Sequence, residues 1–191
     1  MRTLIQTLGG PTPFINRLTY LHTTSLASIT NEPSFLTPFQ YHYAARPALS
    51  THRIHSTIRA SFAATPSGLP GNDDSGAMGS FLAWAMMGLF PNAGQDVYLI
   101  TVPFSEEVRV TSPVTGKTAR VRVEVEGGSF DPAHEVYYVQ EARLNGERYG
   151  RSWVDHGFFG DGGDLVLVLG ERESEWGTRE EDLPPSLSTR S

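Results

Sequence analysis

The spacing of apolar positions changes period near Pro91, and this divides the chain into a helical half and a strand half. Residues 11–22 place Phe14, Leu18 and Leu21 at helical spacing, with Pro11 suited to a first turn. Residues 50–62 open on Ser50, a good N-cap, and carry Ile54, Ile58 and Phe62 four apart. Residues 75–90 carry the clearest helical pattern. Met78, Phe81, Leu82, Ala85, Met86 and Leu89 form one stripe, and Ala83, Trp84 and Met87 extend the apolar surface around the helix. The pattern predicts a helix buried nearly all round, closed by Gly88 and Pro91.

Beyond Gln95 the period becomes two. Ala119, Val121, Val123 and Val125 alternate with Arg120, Arg122, Glu124 and Glu126, which predicts a half-buried strand after a turn at 113–116. A second strand is expected over 136–144, closed by the hairpin dipeptide Asn145-Gly146. A third, almost continuously apolar, is expected over 164–169, and shorter ones over 97–101 and 108–111. From Glu171 the chain turns polar and acidic and reads as a surface tail. The expectation is an α+β protein: a helical region over 1–94, a β-rich region over 95–170 and an acidic tail over 171–191. Helices with such extensive apolar faces cannot bury them against one another and a small sheet. They belong in a larger helical assembly.

Composition narrows the function. The 191 residues are 39% hydrophobic, which suits a real core, and the net charge of −6 lacks the basic face of a nucleic-acid protein. With no cysteine, the chain has no disulfide, thiolate or zinc–cysteine chemistry. The first residues show no signal-peptide pattern, and the most apolar run, 78–90, is too short to span a bilayer. No partner nucleic acid or membrane is expected.

Gly68-Leu69-Pro70-Gly71-Asn72-Asp73-Asp74-Ser75-Gly76 runs straight into the predicted helix. A helix N-terminus holds a carboxylate ionised, which a general base requires, and an ordinary Asp cap would leave the same pattern. Glu32 in Asn31-Glu32-Pro33-Ser34 is a second carboxylate before a helix-starting proline. His42 lies between Tyr41 and Tyr43 on an expected helix. Such a mixture suits a sugar subsite or, equally, a core helix with its hydroxyls satisfied. His52 and His55 are three apart without a third ligand and read as structural or surface residues. Adjacent carboxylates cannot flank a glycosidic bond, since acid and base lie roughly 5–10 Å apart. Asp73 or Asp74 therefore needs a partner acid elsewhere, and Glu32 is the one obvious candidate within the chain.

These blocks resemble glycoside hydrolase family 92 in its fungal form. The run Gly68 to Ser80 is the specific element. The flanking pieces are Asn31–Ser34, Tyr41–Ala44, Gly88–Asn92, Ala142–Gly146, Ser152–His156 and Gly162–Leu165. The resemblance implies the last helices of an (α/α)6 barrel followed by a β-sandwich-like strand region. It implies an exo-α-mannosidase, with α-1,2 linkages expected, that releases mannose with inversion from oligosaccharides or N-glycans of glycoproteins. It implies Ca2+ as cofactor, Asp74 as general base with Asp73 as the alternative, and Glu32, Asn31, His42 and Asn72 around the sugar. Glu32 would also reach the calcium. The family's general acid lies upstream of Asn31, so the missing N-terminal part of the enzyme is the expected partner. Many family members are exported, and this chain's own compartment is left unassigned. Thr30 stands where a glycine usually precedes Asn31, and Ala45 where a polar residue or glycine is common. Two other readings remain open at this level: a non-catalytic carbohydrate-binding remnant, and an inactive structural fragment of a split gene.

Overall fold

The computed structural model describes residues 1–187. Its helical half contains α1 (Arg2–Thr7), α2 (Pro11–Thr23), α3 (Pro47–Ser61) and α4 (Ala77–Met86). The segment Thr37–Ala44 between α2 and α3 is a 3₁₀ helix rather than an α-helix. The strand half contains β1 (Leu89–Pro91), β2 (Tyr98–Ile100), β3 (Glu107–Thr111), β4 (Thr118–Val125), β5 (Tyr138–Leu144), β6 (Glu147–Arg148), β7 (Trp153–Val154) and β8 (Asp164–Gly170). A short helix, α5 (Gly157–Asp161), precedes β8. The α+β class expected from the periodicity is the class observed.

The strongest helical pattern overran its helix. α4 stops at Met86, and Leu89 and Phe90, expected to be helical, form β1 together with Pro91. Gly88 turns the chain at φ 74°, where an added Cβ would lie 2.7 Å from the Thr101 carbonyl oxygen. A side chain there is excluded twice, by the backbone angle and by the neighbour. α1 went unrecognised because six residues are too few to be helical alone. Tertiary contact holds it: Ile5 is buried, and the Met1 amine donates to Ser186 Oγ at 2.9 Å.

Two cores result, and one hairpin serves both. β1 and β2 pair antiparallel with Leu89 opposite Ile100 and Phe90 opposite Leu99. Successive strand residues face opposite ways. Phe90 and Leu99 join Phe39, Ile54, Phe81 and Ala85 in the helical core. Leu89 and Ile100 join Val154, Val121, Leu165 and Leu167 in the β core. The boundary expected between residues 94 and 95 therefore falls inside a hairpin that both cores share.

The second core lies between the sheet β1-β2-β7 and a five-stranded sheet ordered β3-β4-β8-β5-β6. β8 is central, parallel to β4 and antiparallel to β5. Leu165, Leu167 and Leu169 face the core. Val166 is also buried and lies between Arg122 and Arg143 on the neighbouring strands. A strand covered on both sides explains the unbroken apolar run. Arg122 donates to both carboxylate oxygens of Asp164, at 3.1 and 2.6 Å, and Arg143 pairs with Glu124. Asn145 and Gly146, both at positive φ, close the β5–β6 hairpin as the dipeptide predicts.

The segment read as an acidic tail runs back over both halves. Trp176 Nε1 donates to the Tyr149 carbonyl at 2.9 Å, and Trp153 Nε1 donates to that of Leu183 at 3.0 Å. Asp182 is buried and accepts from Arg179 at 3.0 Å. Residues 188–191 of the expected tail lie outside the described residues. Among the described residues no helix is long and apolar enough to cross a membrane.

Leu99 is fully buried in the helical core. Leu99→Ala is expected to cost about 2–5 kcal/mol. A lower urea midpoint with an unchanged slope would show it, and a midpoint near wild type would remove the hairpin from its bridging role.

Candidate active site

Two loops form the candidate site, and a backbone contact joins them. An added Cβ on Gly71 would lie 2.3 Å from the Thr30 carbonyl oxygen and 2.8 Å from the Thr30 Cα. Only glycine permits that approach. It sets Asn31 and Glu32 beside Asn72 and Asp73, each within two residues of the contact. The family resemblance expects glycine where Thr30 stands, and here Gly71 alone makes the room.

The two aspartates have different surroundings. The Asp73 carboxylate accepts the backbone N–H of Gly79 at 3.0 Å, and its carbonyl accepts that of Ala77 at 2.7 Å. Gly79 is in the first turn of α4, so Asp73 caps the helix. Asp74 is exposed, and its carboxylate has no partner among the described residues. Its backbone opens a left-handed run, with φ 29° at Asp74, 62° at Ser75 and 87° at Gly76. Non-glycine residues in that region carry strain of order 1–3 kcal/mol each, and such strain clusters where a side chain must be held for use. The helix-cap reading of the motif thus applies to Asp73, and the free carboxylate is Asp74.

Glu32 begins a short 3₁₀ turn, Glu32–Ser34. Its Oε1 is buried without a hydrogen-bond partner, which is costly for a carboxylate oxygen. Asn31 and Asn72 are exposed nearby. Calcium takes six to eight oxygens from carboxylates, amides and carbonyls. The orphaned Glu32 Oε1, with the side-chain amide oxygens of Asn31 and Asn72 on the two loops that meet at Gly71, is of the chemical type such a set uses. Among the described residues no three His, Asp or Glu side chains converge to hold a metal ion. Further oxygens would have to come from water, from carbonyls or from protein outside this chain.

His42 belongs elsewhere. Expected at the sugar, it is fully buried. Its Nδ1 lies 2.8 Å from Ser50 Oγ and 3.1 Å from the Phe39 carbonyl, and its Nε2 lies 2.8 Å from the Ile100 carbonyl. Both ring nitrogens are used in tying Thr37–Ala44 to α3 and β2, and no edge is left for a ligand. The flanking tyrosines do the same: Tyr41 bonds Thr19 at 3.2 Å and Tyr43 accepts from Asn92. Burial raises the Tyr43 hydroxyl to about 12. The aromatic cluster is core, because its polar atoms are satisfied by backbone and by distant residues that spacing cannot reveal. His55 is likewise buried, with Nε2 2.8 Å from the Val102 carbonyl and its ring 4.1 Å from that of Phe104. His52 is exposed.

A model of the glycosyl hydrolase family 92 catalytic domain matches residues 1–171. The chain belongs to glycosyl hydrolase family 92. An uncharacterized secreted glycosidase of Arthroderma benhamiae is 56% identical over 187 residues, covering 98% of this chain and 24% of that protein. The fold is similar to a family 92 α-mannosidase of Bacteroides thetaiotaomicron, with TM-score 0.82 and 26% identity over 93% of this chain and 24% of the enzyme. It is also similar to a family 92 inverting mannosidase of the same bacterium, with TM-score 0.81 and 22% identity over 97% of this chain and 28% of that one. The family 92 chain described here thus spans about a quarter of the length of these relatives.

His42 and His55 make a pH prediction. Burial lowers both to about 4, against 6.5 when unfolded. Below pH 6.5 the unfolded chain takes protons that the folded chain refuses. Stability is therefore full above pH 6.5 and falls as pH drops toward 4, by a few kcal/mol at most. Urea midpoints at pH 7 and pH 4.5 should show the loss, and a smaller loss in His55→Gln would assign its share.

Proposed function

We propose that this chain is the base-bearing C-terminal part of a calcium-assisted exo-α-mannosidase. Its substrate would be an α-linked mannoside, on an oligosaccharide or a glycoprotein glycan, with α-1,2 linkages favoured. The carrying observation is the division of labour in the Asn72-Asp73-Asp74 loop: Asp73 is spent on capping α4, and Asp74 is free and held in a left-handed turn. The α-mannosidase identity of the bacterial enzyme supports the sugar. The secreted fungal relative supports export of the intact enzyme.

In this reading Asp74 takes a proton from a water as the water oxygen attacks the anomeric carbon. The product is inverted, because a single displacement reverses that centre. The leaving oxygen takes its proton from a carboxylic acid that lies outside this chain. Asn31 and Asn72 would orient the sugar by hydrogen bonds to its hydroxyls. Glu32, with its unpartnered oxygen, would hold the calcium. When bound, that ion supplies a fixed positive charge that orients and polarises sugar oxygens.

The test is mannose release from α-1,2-mannobiose, with calcium and with a chelator, for the chain alone and for the chain joined to the upstream part of a family member. The chain alone is expected to be inactive and the joined protein active only with calcium. Asp74→Asn in the joined protein should lower turnover about 10²–10⁴-fold with the fold intact. Unchanged turnover would remove Asp74 from the base role. Asp73→Asn should instead mainly cost about 1 kcal/mol of stability, through its weakened cap.

Glu32→Gln gives an independent check. It should abolish the calcium-dependent rise in melting temperature of the joined protein. A calcium shift that survives the change would place the metal elsewhere.

A further inference from the structure

Arg53 and His22 lie outside the proposed mannosidase chemistry, and both line a cleft of about 300 Å³ between α2, α3 and the segment joining α2 to Thr37–Ala44. Ser34, Thr37, Thr57 and Ser61 contribute further walls, and no acidic residue does. Arg53 Nε and His22 Nε2 are buried there without a hydrogen-bond partner. Among the described residues no carboxylate pairs with the Arg53 guanidinium, and the hydroxyls of Ser34, Thr57 and Ser61 are also unbonded. The His22 ring is positioned by Tyr41, on which it stacks at 6.3 Å. Burial, with the nearby Arg53 charge, lowers its pKa and keeps the ring neutral, so its Nε2 is free to accept or donate as its tautomer dictates.

A buried guanidinium N–H without an acceptor loses its hydration for nothing. Guanidinium geometry matches planar or tetrahedral oxygen acceptors, and its bonds to anions are among the stronger ones. Hydroxyls add donors that turn to suit. The volume is several times the ~30 Å³ share of one water, which admits a small anion with some solvent. We propose that this cleft is a binding site for a small oxyanion, held by Arg53 with hydroxyl support from Ser34, Thr57 and Ser61. The shared chemistry is a negatively charged oxygen cluster, supplied either by free phosphate or by a carboxylate.

The two sources separate in one titration. The ¹⁵N-labelled chain is followed at Arg53 Nε–H with inorganic phosphate and, in parallel, with acetate at equal ionic strength. A saturable downfield shift with phosphate and a weaker one with acetate assigns the site to phosphate. An equal or stronger response to acetate assigns it to a carboxylate, such as an acidic side chain of the remaining polypeptide. No saturable shift with either anion overturns the proposal. Arg53→Gln is followed through Thr57 and Ser61 amide shifts and should bind the preferred anion about tenfold more weakly, as loss of one charged hydrogen bond requires. Arg53→Lys should retain part of the affinity, and Arg17→Gln, which removes an exposed charge on α2, should retain all of it. Undiminished binding in Arg53→Gln would equally overturn the site.

Discussion

The fold depends on a short hairpin that presents a different face to each of two cores. β1 and β2 are three residues each, yet Phe90 and Leu99 pack among the helices while Leu89 and Ile100 pack against the large sheet. Period-two alternation does this without any insertion. It also explains why α4 must end early. A helix continued to Phe90 would have put Leu89 and Phe90 on neighbouring faces of one cylinder, and the β core would have lost its seal. Gly88, packed against the Thr101 carbonyl, is the turning point.

His42 links the same parts through polar atoms. Its ring joins the 3₁₀ segment, Ser50 of α3 and the Ile100 carbonyl of β2. His55 repeats the device one step on, at Val102. Imidazoles held neutral by burial satisfy backbone carbonyls where the small sheet meets the helices. Such groups stabilise the structure at neutral pH and become a liability in acid.

The two candidate-site loops follow from α3 and α4 being set in place by these cores. The residues after α3 return to α4 past Thr30, and Gly71 lets the two backbones touch. One aspartate then caps α4 and its neighbour is left exposed in a strained turn. The unpartnered oxygen of Glu32 and the chain's quarter-length span of its relatives point the same way. On the reading proposed above, these loops carry part of a sugar-hydrolysing centre whose remaining groups lie outside the chain.

Much of this was legible in the sequence. Period-two alternation placed β4, and Asn145-Gly146 placed the β5–β6 turn, because both signals are local and backbone geometry alone enforces them. The Gly68–Ser80 block indicated the family, since its glycines, proline and carboxylates serve one loop. Tertiary structure decided what local pattern could not. Met78 to Phe90 reads as one apolar run whether it ends as a helix or turns into a strand, and only the second core chose. The residues Tyr41-His42-Tyr43 suit a sugar or a core equally well. Their partners, Thr19, Ile100 and Asn92, are 22 to 58 residues away. Asp73 and Asp74 are chemically identical in sequence, and only the position of the Gly79 N–H separates the cap from the free carboxylate.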